Sequence, residues 1–498
     1  LSLDDLYLTL LVGGAVLLVS IGATRFASRV GLPSLLLFLG FGLILGEDVI
    51  GIHFDDAQQA QNLGTAALAL ILIEGGLSTR WGDVKELMAP AGVLATVGVG
   101  ISTVITAAGA HLFLDLTWQV SLLIGATVSS TDAAAVFSVL RILPLPRRVA
   151  GLLEAESGFN DAPTVILVIL LSKTPLHVNG WEFIGTLIYE LVAGAAIGGF
   201  VGWIGAQGLR RMALPASGLY ALSVFGLGIV AFAAAGAAHA SGYLAAYLAA
   251  LWLANAGLPH RAATRSFAEG IGWLAQIGLF VLLGLLVTPS KLGSEIGPAL
   301  VVGVVLLLVA RPLGVILSLA PFRFPARQQV FLSWAGLRGA VPIVLATFPI
   351  VHGVNDSHRV LNIVFVLVVA FTLIQGPSLA PLARALRLAP REATRQINVE
   401  SAPLDVLDAD LLTMTVPADS ELGGVSLLEL RLPDPSVVTL VIREGRTFVP
   451  APETRLRTGD EMLIVTTRLR RDATERRLRA VSRRGSLAHW FDEYGDID

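Results

Sequence analysis

Glu154-Ala155-Glu156-Ser157-Gly158-Phe159-Asn160-Asp161 stands at the head of an apolar segment that runs on as Val165-Ile166-Leu167-Val168-Ile169-Leu170-Leu171. Acids and an amide inside a segment of membrane-spanning length are costly. Ionisable residues at bilayer depth mark ion or proton paths by default. A further acid, Asp132, lies in the preceding apolar segment. The expectation is that Asp132 and Asp161 form one site, at which an alkali cation and a proton compete.

The rest of the chain has the composition such a site needs. Of its 498 residues, 54% are hydrophobic and 15% charged, with a mean hydropathy of +0.73. Soluble domains carry about 25% charge, so the fold class expected is an all-α polytopic membrane protein. Cysteine is absent from the sequence, which excludes disulfides and cysteine-held metals. The Gly-Gly pairs lack the Lys-Ser/Thr context of a phosphate loop. No cofactor and no nucleic-acid partner is expected, and an enzyme is not indicated.

Apolar runs of about 20 residues are candidates to cross a bilayer. Thirteen are read, at about 5–24, 32–51, 59–78, 87–114, 117–140, 150–172, 181–208, 216–237, 241–257, 267–288, 294–319, 328–351 and 358–383. The first lacks a basic leader and is taken as a retained span. Loop charge tests the count. Odd-numbered loops carry Arg25, Arg29, Arg80, Lys85, Arg141, Arg147, Arg148, Arg210, Arg211, Arg261, Arg265, Arg323 and Arg327, whereas even-numbered loops carry only Lys173, Lys291 and Arg359. Basic loops stay in the cytoplasm, so the N-terminus is expected outside and the end of the last span inside. Beyond it the composition turns polar. Leu411–Val416, Val437–Arg443, Thr447–Pro450 and Asp460–Thr466 read as strands, with a helix expected near Glu421–Leu430. The domains expected are 1–390 transmembrane exchanger, 391–402 linker, 403–470 small cytoplasmic α+β domain and 471–498 tail.

Four polar clusters interrupt the apolar spans: Glu74-Gly75-Gly76, Thr127-Val128-Ser129-Ser130-Thr131-Asp132, the opening motif, and Ser333 through Pro342, which contains Arg338. Ser, Thr and Asp compete for backbone hydrogen bonds and can open a helix. Opened backbone at membrane depth is tolerated only where it lines a cavity, and such breaks build midplane ion sites in transporters. The fifth and twelfth spans are therefore expected to be broken and to cross. Lying seven apart, they fit an inverted repeat of spans 1–6 and 8–13. The expected ligands are Asp161, Asp132, Thr131 and Ser157. Asn160, Glu74, Arg338 and Glu156 are expected to brace the site, with Glu74 and Arg338 as an ion pair. Whether Glu156 also meets the ion stays open. Glu154 is expected in solvent beside Arg147 and Arg148.

These motifs resemble the CPA1 branch of the cation:proton antiporters, the NhaP type. The resemblance is carried by Thr131-Asp132, Glu156-Ser157, Asn160-Asp161, Glu74-Gly75-Gly76-Leu77 and Ala335-Gly336-Leu337-Arg338-Gly339-Ala340. It implies an electroneutral exchanger, since Asn160-Asp161 stands where electrogenic relatives have two acids. It also implies a homodimer in a bacterial inner membrane, in which an ion-binding domain moves against a dimerisation domain. Residues 403–470 resemble the TrkA-C (RCK C-terminal) regulatory type, which implies K+/H+ exchange and a small regulatory ligand such as a nucleotide or cyclic dinucleotide. Only one such module is expected. Na+ (Li+)/H+ exchange is the alternative, and a cation channel or a membrane sensor is the alternative in class.

Overall fold

The computed structural model describes residues 3–30, 34–54, 56–132, 145–173, 180–212, 214–388, 399–404, 409–417, 420–467 and 469–485. The chain divides into two compact units, Leu1–Ala389 and Pro390–Asp498.

The first unit is helical. Its elements are α1 (Leu3–Val30), α2 (Ser34–Leu45), α3 (Ala57–Ser78), α4 (Lys85–Leu114), α5 (Trp118–Thr127), α6 (Arg147–Leu171), α7 (Gly180–Arg211) and α8 (Ser217–Ala237). They continue as α9 (Gly242–Asn255), α10 (Arg261–Leu285), α11 (Pro289–Phe322), α12 (Ala326–Trp334), α13 (Ala340–Leu345) and α14 (Ser357–Ala385). By length and composition seven of these can cross a membrane: α3, α4, α7, α8, α10, α11 and α14. Leu10–Arg25, α2, α9 and Ala340–Val351 are shorter apolar stretches. The fold is thus mostly helical and polytopic, with seven clear crossing helices against the thirteen spans read from sequence. The difference has a physical source. Glu154, Glu156, Asn160 and Asp161 lower the hydropathy of α6, and local breaks shorten the helices of the fifth and twelfth segments.

Hydroxyls at the first break bond part of its own backbone. At the end of α5, Thr127 Oγ1 donates to the Leu123 and Ile124 carbonyls at 2.8 and 2.9 Å, and Ser129 Oγ donates to the Gly125 carbonyl at 2.6 Å. The Ser129 hydroxyl takes the carbonyl that its own amide has given up, whereas Ile124 still receives the Val128 amide at 3.1 Å. Residues 133–144, where the fifth segment would continue, lie outside the described residues. In the twelfth segment the helix stops at Trp334 and resumes at Ala340. The two non-helical pieces meet where the Asp132 amide donates to the Leu337 carbonyl at 2.9 Å. A Cβ on Gly339 would fall on the Asp132 carboxylate, so only glycine permits this approach. Two further irregularities correspond: a π-turn at Leu94–Gly98 within α4 and another at Leu306–Ala310 within α11.

Small residues set the spacing elsewhere. Gly194, Gly198 and Gly202 of α7 recur every fourth residue, and a Cβ on any of them would strike Ser241, Ala245 or Ala249 on or beside α9. Close backbone approach of this kind is the usual route to helix association in lipid.

The second unit holds an antiparallel five-stranded sheet in the order β1-β2-β5-β3-β4. The strands are β1 (Val399–Leu404), β2 (Ala409–Thr415), β3 (Val437–Arg443), β4 (Arg446–Phe448) and β5 (Glu461–Thr467). Glu444 and Gly445, at φ 50° and 78°, form the two-residue β3–β4 turn, the left-handed geometry that suits a strand twist. Leu412, Met414, Val441, Met462 and Ile464 pack against Leu478 and Val481 of helix Arg471–Arg484. Three expectations change here. The first strand begins at Val399, inside the stretch read as linker. The helix Arg471–Arg484 belongs to the core rather than to a tail, because its apolar face covers the sheet. The helix expected over Glu421–Leu430 shrinks to Leu427–Leu430, since Gly424 at φ 89° stops any earlier turn and Ser426 with Glu429 caps the short helix after it. Residues 486–498 lie outside the described residues. Asp460 is almost fully buried and accepts from Arg443 Nε and Nη2, both at 2.8 Å, and from the Arg457 amide at 2.7 Å.

Candidate functional site

The helix α6 sorts its polar residues by face. Ser157 and Asp161 are four apart and lie on one side, one turn above the other. They look onto the end of the fifth segment. Ser130 Oγ donates to Asp161 Oδ1 at 2.5 Å, and Thr131 Oγ1 lies 3.1 Å from Ser157 Oγ. Asn160 Nδ2 donates to Thr131 Oγ1 at 2.6 Å, and Thr164 Oγ1 donates to the Asn160 carbonyl at 2.7 Å. Asp161, Ser130, Thr131, Ser157 and Asn160 are all buried. The structure therefore brings Asp161, Thr131 and Ser157 together. Asp132 joins them through the backbone crossing with Leu337, and Asn160 ties α6 to the break.

The other face of the same turn holds Glu156. It is 1% exposed and receives Arg311 of α11 in a two-pronged contact, Nη1 to Oε1 at 2.5 Å and Nη2 to Oε2 at 2.9 Å. Paired planar geometry of this kind is the strong form of a charge-assisted hydrogen bond. Among the described contacts, none joins Glu74 to Arg338 as the expected ion pair. Arg338, also buried, directs Nη1 at the Ser129 and Ser130 carbonyls, 3.1 and 2.7 Å away, while Glu74 accepts from Ser78 Oγ at 3.0 Å. The reason is local. The broken end of α5 offers free carbonyls, and a guanidinium in the neighbouring break is their nearest donor. Arg338 thus pins one break to the other. Glu154 is also corrected. It is partly buried and accepts from Thr79 Oγ1 at 2.6 Å, whereas Arg148 turns to the Phe322 carbonyl and the Phe324 ring.

Three residues of this arrangement escaped the sequence reading. Ser130 sits among four hydroxyl residues, and only geometry selects it as the donor to Asp161. Arg311 had a signal, an arginine inside the most apolar segment of the chain, which by the rule applied to Asp132 called for a buried partner. Gln375 of α14 is fully buried and donates to the Trp334 carbonyl at 3.0 Å, capping the twelfth segment's break.

Helices broken within a membrane-type bundle, with carboxylates and hydroxyls gathered where the open backbones meet, define an ion-transport protein. The chain belongs to the sodium/hydrogen exchanger family, whose transmembrane model matches residues 15–385. The TrkA-C domain model matches residues 411–479. Among relatives, the K(+)/H(+) antiporter NhaP of Alkalimonas amylolytica is 37% identical over 473 residues, covering 93% of this chain and 82% of that protein. The K(+)/H(+) antiporter NhaP2 of Shewanella oneidensis is 36% identical over 99% of this chain and 87% of its own. The Na(+)/H(+) antiporter ApNhaP of Aphanothece halophytica is 27% identical over 66% of each chain. The sodium proton antiporter MjNhaP1 of Methanocaldococcus jannaschii has the same fold, with a TM-score of 0.65 at 21% identity over 75% of this chain and 99% of that one.

Proposed function

We propose that the protein exchanges one K+ for one H+ across a bacterial inner membrane, by competition of the two ions for Asp161 and Asp132. The observation that carries this reading is the meeting of Asp161, Ser130, Thr131 and Ser157 where the fifth and twelfth segments cross. Hard cations prefer oxygen ligands, and carboxylate, hydroxyl and open carbonyl oxygens all lie within this small volume. Charge supports one-for-one stoichiometry. Arg311 is paired with Glu156, and Arg338, on the Ser129 and Ser130 carbonyls, sets one positive charge near Asp161 and Asp132, which leaves one negative charge for either a cation or a proton. Asn160, where a second acid would stand, keeps that balance. Ionic cargo bound in turn from each side is sufficient for exchange, and the chemistry calls for no cofactor.

The choice of K+ follows the two nearer relatives. Na+ (Li+) is the other cargo, favoured by the more distant one. We read the first unit as thirteen spans in an inverted repeat, with the N-terminus outside and the second unit cytoplasmic. The matched breaks in segments five and twelve support the repeat, as do the matched π-turns in segments four and eleven, each pair seven segments apart. Residues 1–390 form the exchanger, and the TrkA-C-like module runs from the strand that begins at Val399 through the helix that ends at Arg484. The protomer pairs as a homodimer in membrane lipid, and the module takes a small nucleotide or cyclic dinucleotide. The test is proton movement in proteoliposomes, followed by a pH dye on addition of K+, Na+, Li+ or Rb+. Asp161→Asn and Asp132→Asn are each expected to abolish the response. Retained exchange in both would overturn the site.

A further inference from the structure

Helix α9 brings a second set of polar groups to the site. Tyr243 and Tyr247 are four residues apart and share one face. Tyr247 packs edge-on to Phe159 of α6 at 5.7 Å, and its ring fills the space over Gly158. Tyr243 lies one turn nearer the start of α9. Its hydroxyl comes within electrostatic range of Asp161, one turn nearer the end of α6. The two helices therefore run antiparallel in register, with one tyrosine beside Gly158 and the next beside Asp161.

The two tyrosines differ in one respect. Tyr243 is 7% exposed, its ring is fixed against Phe232 at 5.3 Å, and its hydroxyl has no hydrogen-bond partner among the described residues. The Thr65 hydroxyl of α3 lies alongside, outside hydrogen-bonding geometry. A buried hydroxyl without a partner costs free energy in the state that shows it. Such a group is retained at no loss if another state of the site satisfies it.

We propose that Tyr243 is a further positioning residue of the ion site, its hydroxyl hydrogen-bonding the Asp161 carboxylate or adding an oxygen to the cation's shell when the site is loaded. This inference rests on the assignment of Asp161 as ligand. It makes α9 a contributor to ion affinity as well as a packing surface. Tyr243→Phe tests it, because phenylalanine keeps the ring against Phe232 and removes only the unpartnered atom.

In proteoliposomes, Tyr243→Phe is expected to raise the apparent KM for K+ about tenfold, the usual size for a lost hydrogen bond to a charged group. Maximal exchange should stay within about twofold. In detergent, the variant without added cation should melt no lower than the wild type, while the K+ concentration needed to raise its melting point increases by the same factor. Unchanged KM with unchanged cation stabilisation overturns the proposal, as does a lower maximal rate at unchanged KM. Asp161→Asn is assayed in parallel. If it abolishes exchange while Tyr243→Phe changes nothing, the site stands and only the role of Tyr243 falls. If Asp161→Asn still exchanges, both fall.

Discussion

Arg311 and Glu156 are 155 residues apart in the chain and share two hydrogen bonds in a place that water does not reach. A pair like this contributes little net stability over an apolar replacement, but removing one member leaves the other buried and charged, at about 3–5 kcal/mol. Arg311→Met is therefore expected to lower the melting temperature of the purified protein sharply. The double change Arg311→Met with Glu156→Gln should recover most of that loss. Equal melting of the two variants would mean that the pair does not hold the fold. At this scale the sequence was informative about cost and silent about partners. Asp132, Asp161 and Arg338 were legible as expensive residues in apolar runs. The pairing of Arg338 was not, because it depends on which carbonyls a break sets free, and those belong to another segment. Ser130 could not be told from Thr127, Ser129 and Thr131 for the same reason. All four are small hydroxyls, and only the path of the opened backbone decides which one meets Asp161.

The broken segments are where residue chemistry becomes architecture. Four hydroxyl residues and an aspartate in Thr127–Asp132 end a helix by capturing its carbonyls, which is why that break could be read in advance. The approach of the two breaks relies on Gly339, whose missing side chain makes room for the Asp132 carboxylate. Gly339→Ala is expected to leave the protein expressed but to displace Asp132, at about 1–3 kcal/mol of overpacking. K+-driven proton movement in proteoliposomes should then fall at least about fivefold, an energy of that size acting on the bound ion. Full activity would show that the crossing tolerates a methyl group. The π-turns were not legible. Leu94-Ala95-Thr96-Val97-Gly98 and Leu306-Leu307-Leu308-Val309-Ala310 are ordinary helix-forming sequences, and the extra residue each accommodates is set by what lies against them. Gly98, for example, meets Ser318 and Gly314 of α11.

The two units differ in what holds them. The first depends on apolar packing around a few paid-for charges, whereas the second has ordinary soluble-domain electrostatics. Burial alone would raise the Asp460 carboxyl. The Arg443 hydrogen bonds and the Arg457 amide outweigh it and hold the carboxyl below its usual value. A carboxyl lowered in the folded state stabilises the fold above its unfolded value, and that contribution is lost as pH falls through the folded value. Limited pepsin digestion between about pH 5 and pH 3 should therefore show the second unit opening first at the acid end of the range, near and below the ordinary aspartate value. Asp460→Asn should open more readily at the top of the range and lose this step. Identical digestion of the two would exclude Asp460 as the cause. The strands of this unit were visible in alternation, and the role of Arg471–Arg484 was not. Its charged composition reads as a solvated tail until the sheet supplies a face for Leu478 and Val481.

The glycine row on α7 bears on motion. Where Gly194, Gly198 and Gly202 sit on Ser241, Ala245 and Ala249, backbone meets backbone, and displacement by even a fraction of a turn would drive a carbonyl into a helix. That side of α9 is keyed. The opposite side presents the smooth rings of Tyr243 and Tyr247, with the glycine of α6 giving Tyr247 clearance. The Tyr247 ring fits Gly158 closely, and the Tyr243 ring packs on Phe232 of α8. α7 and α9 are thereby locked together as one piece, and sliding between them would break the whole row of contacts at once.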